Sequence, residues 1–279
     1  RYLEQFRSIE NSVALVNAIQ HFLVEKTRLG IPALFHDEAA HGLLAGDATI
    51  FPSPPALGST WDPELIERET DYRAIRFSER PQSLGYHGNV ILARKAVTVA
   101  DARPMALPHL EPRGAAVADL DYDGRRVRIV GMHLGLTRKW RQLQTETIVN
   151  ELRALEGNMP TVLMGDLNVA PLQTDVWSHK QLLDVVSHTP VETKLFGEAQ
   201  AAFDWTDVTR RFVPPDEKIY SWWSYRAADW EASDRGRRLD HIWASPGIEG
   251  ALKSQTIFKK MRGWQKASDH VPVMVELDL

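Results

Sequence analysis

The chain has 279 residues, of which 43% are hydrophobic and 25% charged, and its mean hydropathy is −0.31. This composition is typical of a globular protein and excludes disordered, collagen-like and coiled-coil classes. The absence of cysteine excludes disulfides, a thiolate nucleophile and a Cys-based zinc site. All apolar runs fall far short of the ~20 residues that a membrane-spanning helix needs, so we expect no membrane partner. The lack of cysteine fits a reducing compartment and no signal segment is visible, so we expect a cytoplasmic location.

The net charge of −4 is unevenly distributed along the chain. Residues 1–72 carry 5 Lys/Arg against 11 Asp/Glu, whereas residues 73–279 carry 28 against 26. Eight of the nine tryptophans also follow residue 139. These differences in composition predict two domains, residues 1–72 and residues 73–279.

The first segment has the pattern of a β/α unit. Apolar residues recur at helical spacing over residues 9–23, and a short apolar run follows at residues 31–35. Asp62-Pro63 has the chemistry of the cap and first position of a second helix. One such unit lacks the neighbours that it needs to bury its apolar surface.

After residue 80 the pattern changes to strands. Residues 115–120 and 125–132 flank Asp123-Gly124, a dipeptide that favours a hairpin turn. A helical pattern extends from Trp140 to Leu155, followed by short strands at residues 161–164, 239–244 and 271–277. Hairpins combined with helix-linked strands favour a layered α/β fold.

Gly165-Asp166-Leu167-Asn168 follows directly after the strand predicted at residues 161–164. Residues two apart at a strand end project to the same side, so Asp166 and Asn168 can face a hard cation and a phosphate together. The alternative is an ordinary turn, because Gly, Asp and Asn are common turn formers.

Three further polar groups lie at the ends of predicted strands. Ser268-Asp269-His270 offers a metal ligand and a titratable imidazole, and Asp240 can orient His270. His133 ends the strand that precedes the one ending at Asp166. The alternative for each is a helix cap or a satisfied polar group in the core.

Aromatic and cationic residues alternate in two nearby segments. Ser221-Trp222-Trp223-Ser224-Tyr225-Arg226 is followed by Arg235-Gly236-Arg237-Arg238. Such surfaces stack on bases and pair with phosphates, which indicates nucleic-acid binding. The alternative is that the tryptophans belong to the core and the arginines to a solvated face.

These motifs occur together in the order and spacing of one known family. From about residue 162, and most closely over residues 165–279, the chain resembles exonuclease III and its abasic-site endonuclease relatives. The resemblance rests on Gly165-Asp166-Leu167-Asn168, the 221–226 and 235–240 segments, and Ser268-Asp269-His270. It implies a Mg²⁺-dependent hydrolase of DNA phosphodiesters, with Mn²⁺ as an alternative cation.

Residues 86–160 are similar to the broader endonuclease/exonuclease/phosphatase superfamily. The similarity rests on Gly88-Asn89, Glu111-Pro112-Arg113-Gly114 and Met132-His133-Leu134. The superfamily resemblance covers about residues 80–279 and implies a partial four-layer α/β sandwich, in which two packed mixed sheets are flanked by helices as in deoxyribonuclease I. In that superfamily a histidine at the position of His133 serves as an acid.

The resemblance also implies a role for each site residue. The catalytic set comprises Asp166, Asn168, His133, Asp240 and His270, of which Asp166 activates water and His133 protonates the leaving oxygen or contacts the phosphate. The implied metal ligands are Asp166, Asn168 and Asp269. The implied substrate-binding residues are Trp222, Trp223, Arg226, Asn89 and Arg113. DNA is the implied partner, and no protein partner is expected.

Residues 1–70 resemble a different family, the N-terminal barrel of glycoside hydrolase family 3. The likeness rests on residues 28–42, in which Glu38 matches a sugar-binding position, and on residues 59–63. A (β/α)₈ barrel takes ~250 residues, so we expect only a barrel fragment. This segment stands where the nuclease superfamily has an Asn and a metal-binding Glu, which predicts impaired activity. A β-glucosidase-type fragment and an inactive DNA-binding mosaic are the alternatives.

Overall fold

The computed structural model describes residues 71–75, 89–108, 114–154, 159–227, 229–264 and 267–279, together with residues 18, 25 and 26. The chain divides into two units, Arg1–Thr60 and Trp61–Leu279, and every element below belongs to the second. The barrel fragment expected over residues 1–70 therefore lies outside the described residues, apart from those three positions. The two-domain boundary near residue 72 stays a prediction.

In the second unit, five strands precede the first described α-helix, and strands and helices are interspersed after it. The strands are β1 (Tyr72–Ala74), β2 (Leu92–Arg94), β3 (Thr98–Ala106), β4 (Gly114–Tyr122), β5 (Arg125–His133), β6 (Thr161–Asp166), β7 (Thr206–Asp207), β8 (Trp222–Trp223), β9 (Gly236–Arg237), β10 (Asp240–Ala244), β11 (Leu252–Ile257) and β12 (Val273–Leu277). The α-helices are α1 (Arg138–Ala154), α2 (His179–Leu182), α3 (Pro190–Ala201), α4 (Val208–Phe212), α5 (Trp230–Ser233) and α6 (Pro246–Glu249). Within this described part, no helix is long and apolar enough to cross a membrane.

A six-stranded mixed sheet with the order β3-β4-β5-β6-β10-β7 forms the centre of the described fold. β5 and β6 pair in parallel through the α1 crossover, and the other neighbours pair antiparallel. The β4–β5 hairpin closes where predicted, because Asp123 (φ 51°) and Gly124 (φ 79°) adopt the positive φ values of its turn. The predicted α/β class is confirmed.

The two faces of this sheet are covered differently. On one face, α1 and α3 pack with Ile148 and Phe196 on Met132, Leu163 and Trp243. On the other, β11 and β12 pack against alternate residues of β6 and β10. β1 and β2 pack near β3 and β4. Where a second continuous sheet was expected, the described strands form separate two-stranded ladders, β1–β2, β8–β9 and β11–β12.

A buried cluster of ion pairs forms around Arg238, two residues before the start of β10. Nε of Arg238 is 2.8 Å from Oδ1 of Asp175, and Nη2 of Arg238 is 2.8 Å from Oδ2 of Asp207. The Arg210 guanidinium also pairs with Asp175. Arg238 is fully buried, so it belongs to the core and differs from the exposed arginine surface that the sequence pattern indicated. Two carboxylates compensate its charge, as burial requires.

Candidate active site

Three polar side chains lie in one row across the six-stranded sheet. In the parallel β5–β6 pair His133 is opposite Asp166, and in the antiparallel β6–β10 pair Asp166 is opposite Asp240. Each residue ends or begins its strand. Backbone register therefore brings together three of the predicted catalytic residues.

Gly165 allows β6 to reach this row. Its φ is +144°, and a Cβ atom at this position would lie 1.8 Å from the carbonyl oxygen of Met132. Any side chain would therefore collide with the backbone of β5. The glycine that opens the motif is a steric requirement for close strand contact beside Asp166.

The Asp166 carboxylate faces two imidazoles. Its Oδ2 lies 3.2 Å from Nε2 of His133 and 3.7 Å from Nε2 of His270, while its Oδ1 accepts a 3.0 Å hydrogen bond from the backbone N–H of Asn168. Burial acts to raise the pKa of Asp166, but the contact with His133 and the charge of His270 outweigh it and lower the pKa below its ordinary value. An ionised Asp166 can accept a proton from water.

Asp240 orients His270 on the far side of Asp166. Oδ2 of Asp240 lies 2.8 Å from Nδ1 of His270 and accepts a 2.7 Å hydrogen bond from the Ser221 hydroxyl. Burial alone would lower the pKa of His270, but the charges of Asp240 and Asp166 raise it to about 9. The geometry matches the carboxylate–imidazole orientation expected from the sequence. Ser221 was not predicted, although it stands in a quoted motif.

Asn168 and Asp269 are held by protein partners. Asn168 is 2% exposed, has a positive φ of 54°, and donates from Nδ2 to the carbonyl oxygen of Leu134 at 2.8 Å. Oδ2 of Asp269 accepts a 2.9 Å hydrogen bond from Nε1 of Trp222. Within the described residues, the tight carboxylate and histidine cluster does not include Asp269. Metal binding by these two residues stays a prediction.

A divalent cation fits the donor atoms that do converge. One ligand atom from each of Asp166, Asp240 and His270 lies within 4.8 Å of the others. Mg²⁺ binds through one or two carboxylates together with waters, and Mn²⁺ shares this preference for oxygen ligands. The described set offers two carboxylates, Asp166 and Asp240.

A cavity of about 470 Å³ is lined by the aromatic and cationic segments. The guanidinium of Arg235 lies 4.7 Å from the Trp177 ring centroid, and that of Arg237 lies 5.5 Å from the Trp222 centroid. Arg226 is exposed at its edge. Trp222 connects this cavity to the site. Its backbone forms a β-bridge with His270, and its indole N–H donates a hydrogen bond to Asp269.

The other predicted substrate-binding residues are placed less directly. The Trp223 ring is 1% exposed and packs with Tyr220 and Val271, so it offers little surface to a substrate in this structure. Asn89 is half-buried, and its amide donates to the carbonyl oxygen of Gly114. Arg113 lies outside the described residues. Contact of these residues with a substrate stays a prediction.

Parts of this chain are similar in sequence to known proteins. It is 31% identical over 149 residues to an exodeoxyribonuclease of Bacillus subtilis, covering 52% of this chain and 56% of the relative. It is 29% identical over 125 residues to exodeoxyribonuclease III of Haemophilus influenzae, covering 42% of this chain and 45% of the relative. The chain therefore spans about half the length of these curated relatives.

Solved structures share its fold. An AP endonuclease from Archaeoglobus fulgidus superposes with a TM-score of 0.62 at 20% identity, covering 78% of this chain and 84% of the other. A 3′ phosphatase from Neisseria, solved with a product DNA hairpin, superposes with a TM-score of 0.63 at 21% identity, covering 98% of both chains. At these identities the likeness establishes the fold.

A sequence profile extends the similarity across most of the chain. The profile of the Endonuclease/Exonuclease/phosphatase family matches residues 32–270, so it begins within the segment that resembles a glycoside hydrolase. The match contains Asn89 and every predicted catalytic residue from His133 to His270. The chain belongs to the Endonuclease/Exonuclease/phosphatase family.

Proposed function

We propose that the protein is a metal-dependent phosphodiester hydrolase that acts on DNA, of the exonuclease III and abasic-site endonuclease type. The observation that carries this proposal is the position of Asp166, whose Oδ2 faces both His133 and the His270 that Asp240 orients. A carboxylate between two imidazoles provides a base and an acid at one point. Names of relatives, which include exodeoxyribonucleases, support DNA as the substrate class.

The side chains divide the reaction between them. Asp166 accepts a proton from water as the water oxygen bonds to phosphorus. The phosphorus bond to the leaving alkoxide breaks, and His133 supplies the proton that the leaving oxygen takes up. His270 carries positive charge beside the phosphoryl oxygens, where negative charge develops. Asp240 and Ser221 hold the His270 ring in place.

A divalent cation held by Asp166 with Asp240 or Asp269 would polarise the phosphoryl group and neutralise its charge. We propose Mg²⁺, with Mn²⁺ as an effective substitute because Mn²⁺ suits the same carboxylate and water ligands and generally binds such sites more tightly. We also propose that residues 1–72 form a separate segment, in place of the superfamily strands that carry an Asn and a metal-binding Glu. A missing carboxylate would raise the Mg²⁺ concentration needed for half-maximal activity.

The aromatic and cationic cavity supports nucleic acid as the ligand. Indole rings at Trp177 and Trp222 can stack on bases, and the guanidinium groups of Arg226, Arg235 and Arg237 can pair with phosphates. The cavity adjoins the site through Trp222. We place the nucleotide that flanks the scissile phosphate in this cavity.

The test is cleavage of end-labelled DNA duplexes by the full chain after chelation of metal. Three duplexes, one with a recessed 3′ end, one with an internal abasic site and one with a 3′ phosphate, distinguish the reaction types. We expect cleavage to return on titration with Mg²⁺ and to be greater with Mn²⁺. Full activity in the chelator would contradict metal dependence, and no cleavage of any duplex with either cation would overturn the proposed function.

A further inference from the structure

The loop that follows His133 is fastened to helix α1 by a buried glutamine. The N–H of Gly135 donates to Oε1 of Gln144 at 2.7 Å, and Nε2 of Gln144 donates to the carbonyl oxygen of Pro108 at 3.0 Å. Gln144 is 0% exposed. Its side chain therefore joins the loop to the segment that follows β3 through two hydrogen bonds, and it satisfies the buried N–H of Gly135.

An arginine one turn earlier in α1 holds the same loop from a second direction. Nη1 of Arg141 donates to the carbonyl oxygens of Gly135 at 3.0 Å and Leu136 at 2.6 Å. The guanidinium also pairs with Glu192, and both side chains are at most 4% exposed. Apolar residues of similar volume could replace a buried ion pair without loss of stability. Packing alone therefore does not account for these polar groups.

The other side of the loop contacts the site itself. The N–H of Leu134 donates to the carbonyl oxygen of Asp166 at 2.9 Å, and the carbonyl oxygen of Leu134 accepts from Nδ2 of Asn168 at 2.8 Å. The two residues after His133 are thus fixed in succession, Leu134 by the site strand and Gly135 by α1. The His133 side chain is 39% exposed, so the position of the His133 backbone does much to determine where the imidazole lies.

We infer that Gln144, assisted by Arg141, is a positioning residue that holds His133 where it can protonate the leaving oxygen. The inference rests on the proposed function. Neither residue contacts the reacting atoms, so both act through the 134–136 loop. A displacement of about 1 Å of a catalytic group can cost about 100-fold in rate, which makes a rigid loop valuable at this point.

The experiment compares two DNA duplexes that differ in one atom. In one duplex the scissile phosphodiester linkage is normal. In the other, sulfur replaces the bridging oxygen of the leaving group. The ends of the products from the normal duplex identify which bridging oxygen that is. A thiolate leaves without protonation, so only the oxygen linkage needs the acid. The variants are Gln144→Met, Gln144→Glu, which keeps the acceptor for the Gly135 N–H, and His133→Asn. Gln142→Met on the exposed face of α1 is the matched control.

We expect Gln144→Met to lower kcat on the oxygen linkage about 30-fold, with KM within about 2-fold and the rate on the sulfur linkage reduced less than about 3-fold. His133→Asn should also lower the rate on the oxygen linkage more than the rate on the sulfur linkage, and its loss on the oxygen linkage should be larger. Gln144→Glu should recover part of the loss, and Gln142→Met should match the unaltered protein. Because both rates are measured on one preparation, the fraction of folded protein cancels in their ratio.

Four outcomes would overturn the inference. Equal loss on both linkages would assign Gln144 to the stability of the fold, and no loss on either would remove its role. Cleavage of the oxygen linkage but not the sulfur linkage by the unaltered protein would contradict proton donation by His133. Absence of cleavage of either duplex by the unaltered protein would overturn the proposed function, and the positioning role would fall with it.

Discussion

Nε2 of His133 lies 3.2 Å from Oδ2 of Asp166, across the paired ends of two parallel strands. The register of β5 and β6 sets this contact, because the two residues are direct partners in the ladder. The proposed acid and the proposed base therefore stand side by side at paired strand ends. Sites built on strands hold their geometry more closely than sites built on loops.

Asp166→Asn should abolish metal-dependent DNA cleavage. The amide keeps the shape of the carboxylate but can neither accept the water proton nor bind a cation with full charge, so we expect at least about a 100-fold loss in kcat. The measurement is steady-state cleavage at saturating Mn²⁺, with thermal unfolding as a check of the fold. Asp123→Asn in the β4–β5 turn makes the same chemical change far from the site and should have full activity. Retention of cleavage by Asp166→Asn would show that the site is wrongly assigned.

Two glycine substitutions should have opposite effects on stability. Gly165→Ala places a methyl group against the Met132 carbonyl, so the strand must shift, and we expect a loss of about 2–4 kcal/mol in the free energy of unfolding together with lost cleavage. Gly197→Ala in α3 meets nothing within 4 Å and should gain about 0.5–1 kcal/mol. Urea unfolding of the three proteins measures both. A neutral Gly165→Ala would contradict the close approach of β5 and β6.

Asp175 should contribute to stability in a pH-dependent way. Burial acts to raise the pKa of Asp175, but the charges of Arg238 and Arg210 outweigh it and lower the pKa below its ordinary value of 3.8. The contribution is therefore fully present above that value and is lost as the pH falls through the lowered pKa. We expect Asp175→Asn to cost about 3–5 kcal/mol at neutral pH, because Arg238 loses its charged partner in the core.

The corresponding measurement is the difference in unfolding free energy between the two proteins as a function of pH. It should stay constant from pH 7 to about 5 and shrink below about pH 4, where the unaltered carboxylate becomes protonated. Asp184→Asn, at an exposed position with no ion pair among the described residues, is the comparison. A difference that grows on acidification would contradict the ionised state of Asp175.

Arg226→Gln should weaken DNA binding and make the binding constant less dependent on salt concentration. Each lost contact between a cation and a phosphate lowers the magnitude of the slope of log K against log salt by about 1. Fluorescence anisotropy at several salt concentrations, in chelator to prevent cleavage, measures this slope. Arg126→Gln removes an exposed arginine at the opposite end of β5 from His133 and should leave the slope unchanged. Equal slopes for Arg226→Gln and the unaltered protein would exclude a phosphate contact at Arg226.

Much of the sheet could be predicted from local sequence signals. Asp123-Gly124 predicted the hairpin turn, and polar residues at the margins of apolar runs predicted that His133, Asp166 and Asp240 would lie at strand ends. These signals suffice because chain direction and strand pairing bring strand ends to one edge. The pairing of Asp240 with His270, across 30 residues, was inferred from their chemistry and agrees with the structure.

Side chains whose partners are distant could not be predicted in this way. Gln144 and Arg141 lie in an ordinary amphipathic helix, and the only local signal is that two polar residues fall on its apolar side. Arg238 belongs to a run of arginines that reads as solvent-exposed, yet its partners Asp175 and Asp207 come from distant parts of the sequence. Trp223 lies in the core although its neighbour Trp222 is half-exposed, because successive strand residues face opposite sides.

The row formed by His133, Asp166 and Asp240 has a consequence for when the proposed site can form during folding. β5 and β6 can pair once the α1 crossover has formed, but β10 must return from about 75 residues further along the chain to pair with β6. Pairings between distant segments form slowly, because the chain entropy of closing the loop must be overcome first. Partly folded forms of the second unit would therefore contain the β4–β5 hairpin and yet lack the complete row. Under the proposed function, cleavage of DNA could begin only after the sheet is complete.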